Sequence, residues 1–493
     1  MEFRRFFMLK PTLVLGLTFT LTALPALSQK TDIDLPQLGS PADLSLSPRE
    51  EAKISQEVMG ELYQYDYIVD DEEITEYLST IGWKLASNDP TTPNPPNFRF
   101  FVLADNRVNA FAVPGGLIGY NAGTIVAADS ESELASVLAH EESHVTQRHG
   151  ARAAGQTEVA DIATWLGVLA AIVAGSGNPN VVLGAISLGQ GINYQRQAKY
   201  SRANEMEADN FGMRKLVAAG YDPSAMAGFF GKLAQQSRLY GNRVPEILLD
   251  HPVDTTRIAE ATARAAQYPK HKVVDSIDFS LMKARTRVLE ADSFNEAVGY
   301  FAGELNAGKD TTANHYGYAM ALSESGQNAE ALATLQPALN AYPKQPNLLL
   351  MQAQILMQLG RTQEAFDIYA RNIVDSPRYP PAVLKYAEAL INAGQPALAR
   401  EVLINHDQML GNRPDKFKLL SSAARAVDNT AEAQYQFANY LFQRGDLRGA
   451  IEQLNAGLRV ASITDDDRAR LAARRRQMID SIPKDELKQL QRG

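Results

Sequence analysis

Cysteine is absent from all 493 residues, which removes disulfides, thiolate metal sites, a cysteine nucleophile and a lipid-modified amino-terminal cysteine in one step. Any metal must be held by histidine and carboxylate. Histidine itself is scarce, with seven in the chain. Basic blocks are missing as well. With 48 Lys and Arg against 57 Asp and Glu, and a net charge of -9, the chain lacks the clustered cations that replace phosphate counterions, so nucleic acid is excluded as a partner. The apolar runs all fall short of the ~20 residues of a spanning helix. What remains, 45% hydrophobic and 21% charged residues, is the composition of a folded soluble chain with room for more than one domain.

The amino terminus carries Arg4, Arg5 and Lys10, then an apolar run over residues 11–24, then Ala26 and Ser28 at the -3 and -1 places of a cleavage site. This pattern predicts a signal peptide over residues 1–28, removed after Ser28, and therefore export. A polar, disordered lead-in is expected over residues 29–46. A first domain, residues 47–270, opens at Ser47-Pro48-Arg49-Glu50, where Ser47 is a helix cap, Pro48 suits the first helical position and Glu50 lies three residues past the cap. Amphipathic helices are predicted at 48–65 and 72–87 and a proline-rich loop at 89–97. Strands are expected at 98–103, 110–113 and 117–120, the last two either side of Pro114-Gly115-Gly116. A further helix runs from Ser130 to about Gly150. Two apolar stretches within 162–188, joined by a Gly/Asn/Pro turn, read as a buried helical hairpin or as a lid or membrane-surface element, the latter allowing peripheral membrane association.

The second half repeats itself. Gly326, Gly360 and Gly394 recur every 34 residues, as do Ala319, Ala353 and Ala387, and Ala331, Ala365 and Ala399. Pro343 and Pro377 keep the same spacing, Ala297 precedes the series, and Ala438, Gly445 and Ala450 resume it after one insertion. A 34-residue period with small residues in fixed phase is the signature of tetratricopeptide helix pairs. Four or five units are expected over residues 276–480, the first degenerate, followed by a tail at 481–493. The fold class is therefore mainly α: an α+β domain with a small β-sheet, then an all-α tetratricopeptide solenoid.

His140, Glu141 and His144 form the one H-E-x-x-H string. Histidines four apart on a helix project from one face and can grip one cation, and the intervening Glu stands beside that face. Zinc bound this way lowers the pKa of a water while the carboxylate takes its proton, the chemistry of a metallopeptidase. A third ligand must come from elsewhere. Glu205 and Glu207 are both candidates, and Asp209, one turn from Glu205, suits holding a ligating histidine by its other ring nitrogen. His149, five residues after His144, falls off the ligand face and is read as a helix-end residue outside the metal set. The stretch Asn109, Ala110, Phe111, Pro114, Gly115, Gly116 reads either as a substrate-edge strand, to which an extended peptide adds, or as an ordinary structural hairpin.

These motifs together resemble the gluzincin metallopeptidases that include the CAAX prenyl proteases and HtpX. The signal peptide and the repeats narrow the likeness to a periplasmic branch concerned with β-barrel assembly. The resemblance implies one Zn2+ held by His140, His144 and Glu205, Glu141 as general base and Asp209 behind a ligand. It also marks His251, at the start of His251-Pro252-Val253-Asp254, as a regulatory fourth ligand that closes the open zinc position. Arg257 is left to face the oxyanion or a substrate carboxylate. This chain departs from the family at Glu142, where an apolar residue is usual; an extra carboxylate there would bear on the pKa of Glu141. The implied function is envelope quality control in the periplasm, degrading misfolded or stalled outer-membrane proteins and aiding their assembly. The implied partners are those proteins and, through the repeats, the β-barrel assembly machinery. The competing reading is a tetratricopeptide chaperone or scaffold whose metal site is mostly latent.

Overall fold

The computed structural model describes residues 46–154, 201–240, 247, 251–269 and 273–480. The expected signal peptide, most of the lead-in, the apolar 162–188 hairpin and the tail lie outside these. Ser47 starts α1 (Pro48–Gln64) with a reciprocal capping box, its hydroxyl accepting from the Glu50 amide while its own amide donates to Glu50 Oε2 at 2.8 Å. Ile54, Val58 and Leu62, one turn apart, give this helix a single apolar face. That face packs on Phe101, Leu103, Phe111 and Val113 of the sheet. Helix α2 (Glu72–Ser87), capped by Asp71, covers the opposite face through Ile74, Leu78, Ile81 and Leu85.

The sheet has three strands, β1 (Arg99–Leu103), β2 (Ala110–Val113) and β3 (Leu117–Asn121), in the order β1-β3-β2. β1 runs parallel and β2 antiparallel to the central β3, so β2 is an edge. Its four residues are nonetheless buried. The β2–β3 turn needs glycine at 115. There φ is +90, and a Cβ would lie 2.5 Å from the Glu51 carbonyl oxygen of α1.

After the short α3 (Ala122–Ala127), α4 (Glu131–Thr146) is capped by Ser130 and buried along almost its whole length. The helix expected to reach residue 150 stops earlier. Arg148 adopts φ +52, the left-handed conformation that ends helices. It is anchored there by Nη2 bonds to the Leu46 carbonyl at 2.6 Å and to Glu51 at 3.1 Å. The chain then restarts as α5 (His149–Ala154) in a new direction. Against α4 lies α6 (Arg202–Ala218); Gly212 permits the approach, since a Cβ there would sit 3.1 Å from the Ala139 carbonyl oxygen. Helices α7 (Ser224–Tyr240) and α8 (Thr255–Ala265) close the domain.

The repeat half consists of antiparallel helix pairs: α9 (Ile277–Leu289) with α10 (Phe294–Asn306), α11 (Thr312–Glu324) with α12 (Asn328–Ala341), α13 (Pro346–Gln358) with α14 (Thr362–Asp375), and α15 (Pro380–Asn392) with α16 (Pro396–Asn405). α17 (Asp407–Leu410) and α18 (Pro414–Ala426) are inserted before the last pair, α19 (Thr430–Gln443) with α20 (Leu447–Leu458), and α21 (Asp465–Asp480) caps the array. The alanines in 34-residue phase are all buried where helices cross, and Gly326, Gly360 and Gly394 turn each pair at φ between +74 and +80. One apolar core runs from α2 through Phe279, Met282, Tyr316 and Ala319 into the third pair, so peptidase domain and array share a continuous interior.

Candidate metal centre

Helix α4 presents His140, Glu141 and His144, α6 presents Glu205 and Asp209, and the loop before α8 delivers His251; all are buried. His140 Nε2 and His144 Nε2 face each other at 3.0 Å, and lie 3.4 and 3.5 Å from the two oxygens of Glu205. His251 Nδ1 enters the same space, 3.3 Å from His140 Nε2 and 3.0 Å from Glu205 Oε1, while its Nε2 is 3.4 Å from Glu141 Oε1. Glu205 and not Glu207 joins the cluster: Glu207 pairs instead with His149 and Arg152.

The donor set fits a small divalent cation. His140, His144, Glu205 and His251 each offer one atom, all four atoms lying within 4.8 Å of one another. Tetrahedral ligands at ~2.0–2.1 Å from a zinc-sized ion stand about 3.3 Å apart, which is where the separations above fall. The field agrees. Burial pulls the pKa of His140 down, but Asp209 and Glu205 outweigh it and push it up to about 10. Burial likewise opposes a rise at His251 that Glu205 and Glu141 impose, and the histidines overcome burial to hold Glu205 well below its ordinary value. Glu205 and Asp209 share one guanidinium, Arg257, and the carboxylates that favour positive charge on the imidazoles would favour a divalent ion in the same place.

The groups behind the ligands explain their aim. His140 Nδ1 lies 3.0 Å from Asp209 Oδ1, the arrangement that fixes the tautomer of a metal-binding imidazole and raises its basicity. Arg257 corrects one expectation. It does not present a free guanidinium to an oxyanion: Nε and Nη2 bind both Asp209 oxygens at 2.9 Å, and Nη1 reaches Glu205 Oε2 at 2.7 Å and the Pro252 carbonyl at 2.9 Å. It thereby ties the His251 loop to the carboxylates of α6. His149 stays outside the donor set, as its spacing implied, but it is fully buried behind a ligand, with Nδ1 2.8 Å from His144 Nδ1. The spacing rule assumed an unbroken helix, and the break at Arg148 returns residue 149 to the ligand side. Glu142 points away from the cluster to Lys215 Nζ at 3.3 Å, with Asp89 3.6 Å from the same ammonium; burial still lifts Glu142 to about 8.

Fold and site together define a metallopeptidase of the H-E-x-x-H type joined to a tetratricopeptide array. Residues 73–265 match the model of peptidase family M48. Over 467 residues the chain is 32% identical to the beta-barrel assembly-enhancing protease of Escherichia coli (strain K12), covering 94% of each. It is 31% identical over 444 residues to the protein of the same name in Yersinia pestis, covering 89% of this chain and 90% of that one. A more distant similarity, 26% over 233 residues, is to the mitochondrial metalloendopeptidase OMA1 of Arabidopsis thaliana, covering 44% of this chain and 41% of that one. The chain belongs to peptidase family M48.

Proposed function

We propose that this protein is a zinc-dependent endopeptidase of the periplasm that degrades misfolded or stalled outer-membrane proteins and aids their assembly. The observation that carries the reading is the convergence of His140, His144 and Glu205 beside the carboxylate of Glu141. The periplasm rests on the signal-peptide pattern of the first 28 residues, and the substrate class on the printed names of the relatives. His140, His144 and Glu205 would hold the metal, whose chemistry is to acidify water and polarise the scissile carbonyl. Glu141 takes the proton of the attacking water and delivers it to the leaving amine. Asp209 keeps His140 in register and Arg257 steadies Asp209. β2, an edge strand of the sheet, is where an extended substrate would pair, with Asn109 and the 114–116 turn at its ends. The concave face of the repeats would engage the substrate or the assembly machinery.

His251 favours a second reading, a latent site. Its Nδ1 takes a fourth ligand position and its Nε2 faces the base Glu141, and Ile247 N, just upstream, bonds Val108 O at 3.2 Å beside the start of β2. His251 thus meets metal site and base at once, and would act as a latch that moves before water or peptide enters. Purified wild type, Glu141→Gln and His251→Ala should be compared on an unfolded outer-membrane β-barrel protein, with bound zinc measured in each. Glu141→Gln should keep zinc and lose cleavage, and His251→Ala should cleave faster than wild type. Cleavage by Glu141→Gln equal to wild type would overturn the protease assignment. Equal rates for His251→Ala and wild type would remove the latch.

A further inference from the structure

We infer that His149, backed by Glu207, is a positioning residue that sets the tautomer and aim of His144; the inference rests on the metal centre proposed above. The two rings meet edge to face, centroids 4.8 Å apart and planes at 75°, with Nδ1 facing Nδ1 at 2.8 Å. Two ring nitrogens at that distance hold one proton between them, so one donates and the other accepts. Direction follows from the far side of His144. Its Nε2 looks into the donor cluster, 3.0 Å from His140 Nε2 and 3.5 Å from Glu205 Oε1, and a neutral imidazole that ligates through Nε2 carries its proton on Nδ1.

His149 Nδ1 is therefore the acceptor, and the proton of His149 sits on Nε2. That nitrogen lies 3.2 Å from Glu207 Oε2, which also accepts from Arg152 Nη2 at 2.9 Å. With the His144 proton on Nδ1, a cationic His149 would set two N–H groups against each other at 2.8 Å, so the accepting ring is neutral. Donation runs one way, from His144 to His149 to the Glu207 carboxylate that Arg152 steadies. The two ligands of α4 are thus held differently. His140 leans directly on the charged Asp209, whereas His144 leans on a neutral ring with its carboxylate one step further out. The left-handed turn at Arg148, pinned by Glu51 and Leu46, is what places His149 there.

The test is the zinc affinity of the purified full chain, measured by competition with a chromophoric chelator. His149→Ala should weaken zinc binding by about 10- to 100-fold, the usual cost of losing an outer partner of a ligand. His149→Asn, whose amide oxygen stands near the former Nδ1 and accepts the same proton, should recover most of that loss. In the zinc-loaded wild type, the 15N spectrum of labelled histidine should show His149, assigned by its disappearance in His149→Asn, protonated on Nε2 alone. Wild-type affinity in His149→Ala, or a proton on His149 Nδ1, overturns the proposal. Should the Ala variant fail to fold, the Asn variant and the spectrum decide. A wild type that binds no zinc would sink the metal centre itself, whereas equal affinity in wild type and His149→Ala sinks only the role of His149.

Discussion

Arg257 and Arg285 are both buried arginines set between two carboxylates, one where α6 meets α8 and the other where α2 meets the repeat array. Arg285 binds both oxygens of Asp71 and places Nη1 at 3.0 Å from Glu73 Oε1 and 2.9 Å from the Tyr316 hydroxyl. The second Glu73 oxygen accepts from Asn347 Nδ2 at 2.7 Å and from the Tyr379 hydroxyl at 3.4 Å. That cluster is closed: the guanidinium answers Asp71 and one Glu73 oxygen, and the Asn347 amide of α13 and the Tyr379 hydroxyl just before α15 answer the other. Arg257 binds Asp209 and Glu205 as tightly, yet three imidazole nitrogens converge on the far side of the same carboxylates. Buried charge alone therefore marks no active site. Convergence of lone pairs on one point does.

Replacing Glu205 by Gln attacks the open cluster and carries the largest expected effect. Zinc affinity should fall by more than about 100-fold, beyond what loss of an outer partner costs, and peptide cleavage should drop to background. Chelator competition and cleavage of an unfolded substrate check it, and a Glu205→Gln chain that keeps wild-type zinc affinity would erase the distinction between the clusters. Arg285→Met attacks the closed one. It strands Asp71 and Glu73 in the interior, so unfolding in urea should lose about 3–5 kcal/mol, while zinc affinity stays at the wild-type value. A loss of zinc affinity as large as that in Glu205→Gln would show that the interface, too, serves the metal site.

Much of the fold and of the metal site was legible in the sequence, whereas neither arginine cluster was, for identifiable reasons. The repeat phase of Gly326, Gly360 and Gly394 survives because each glycine does the same local job, a left-handed turn. His140, Glu141 and His144 were found because they lie within one continuous helix, where a fixed period converts spacing into direction. Glu205 and Glu207 could not be separated by spacing, since both sit on the first turns of α6 and only packing against α4 decides between them. His149 lies outside the donor set as expected, but its place behind His144 was missed because the period was extended across the break at Arg148. Its signal was a non-glycine residue in the left-handed conformation, which no residue type announces. Arg257 was misread because its partners, Asp209 and the Pro252 carbonyl, are 48 and 5 residues away, and pairing at such range follows from tertiary packing. The Arg285 cluster went unseen for the same reason, its members drawn from the start of α2, from α9, α11 and α13, and from Tyr379 just before α15.

The smallest expected effect tests whether the closed interface is balanced throughout. Asp415, in the first turn of α18, is pushed up to about 7, first by burial and then by Glu72 and Asp70 of the peptidase domain. A carboxyl with a folded-state pKa above its ordinary value of 3.8 keeps its proton in the native chain after the unfolded chain has lost it. Stability must then fall as pH rises from about 4 to about 7, and the cost stays constant above that. Asp415→Asn removes the charge and keeps the shape. It should match wild type near pH 4 and exceed it by on the order of 2 kcal/mol near pH 8, less than the full shift implies because the side chain is only half-buried. Urea unfolding at both pH values checks the difference. The same gain at both would mean that Asp415 carries its charge without cost, and that the like charges of Asp70, Glu72 and Asp415 are already answered by Lys385, whose ammonium lies 3.1 Å from Glu72 Oε2. A gain confined to the higher pH would instead locate an uncompensated charge of the interface at Asp415.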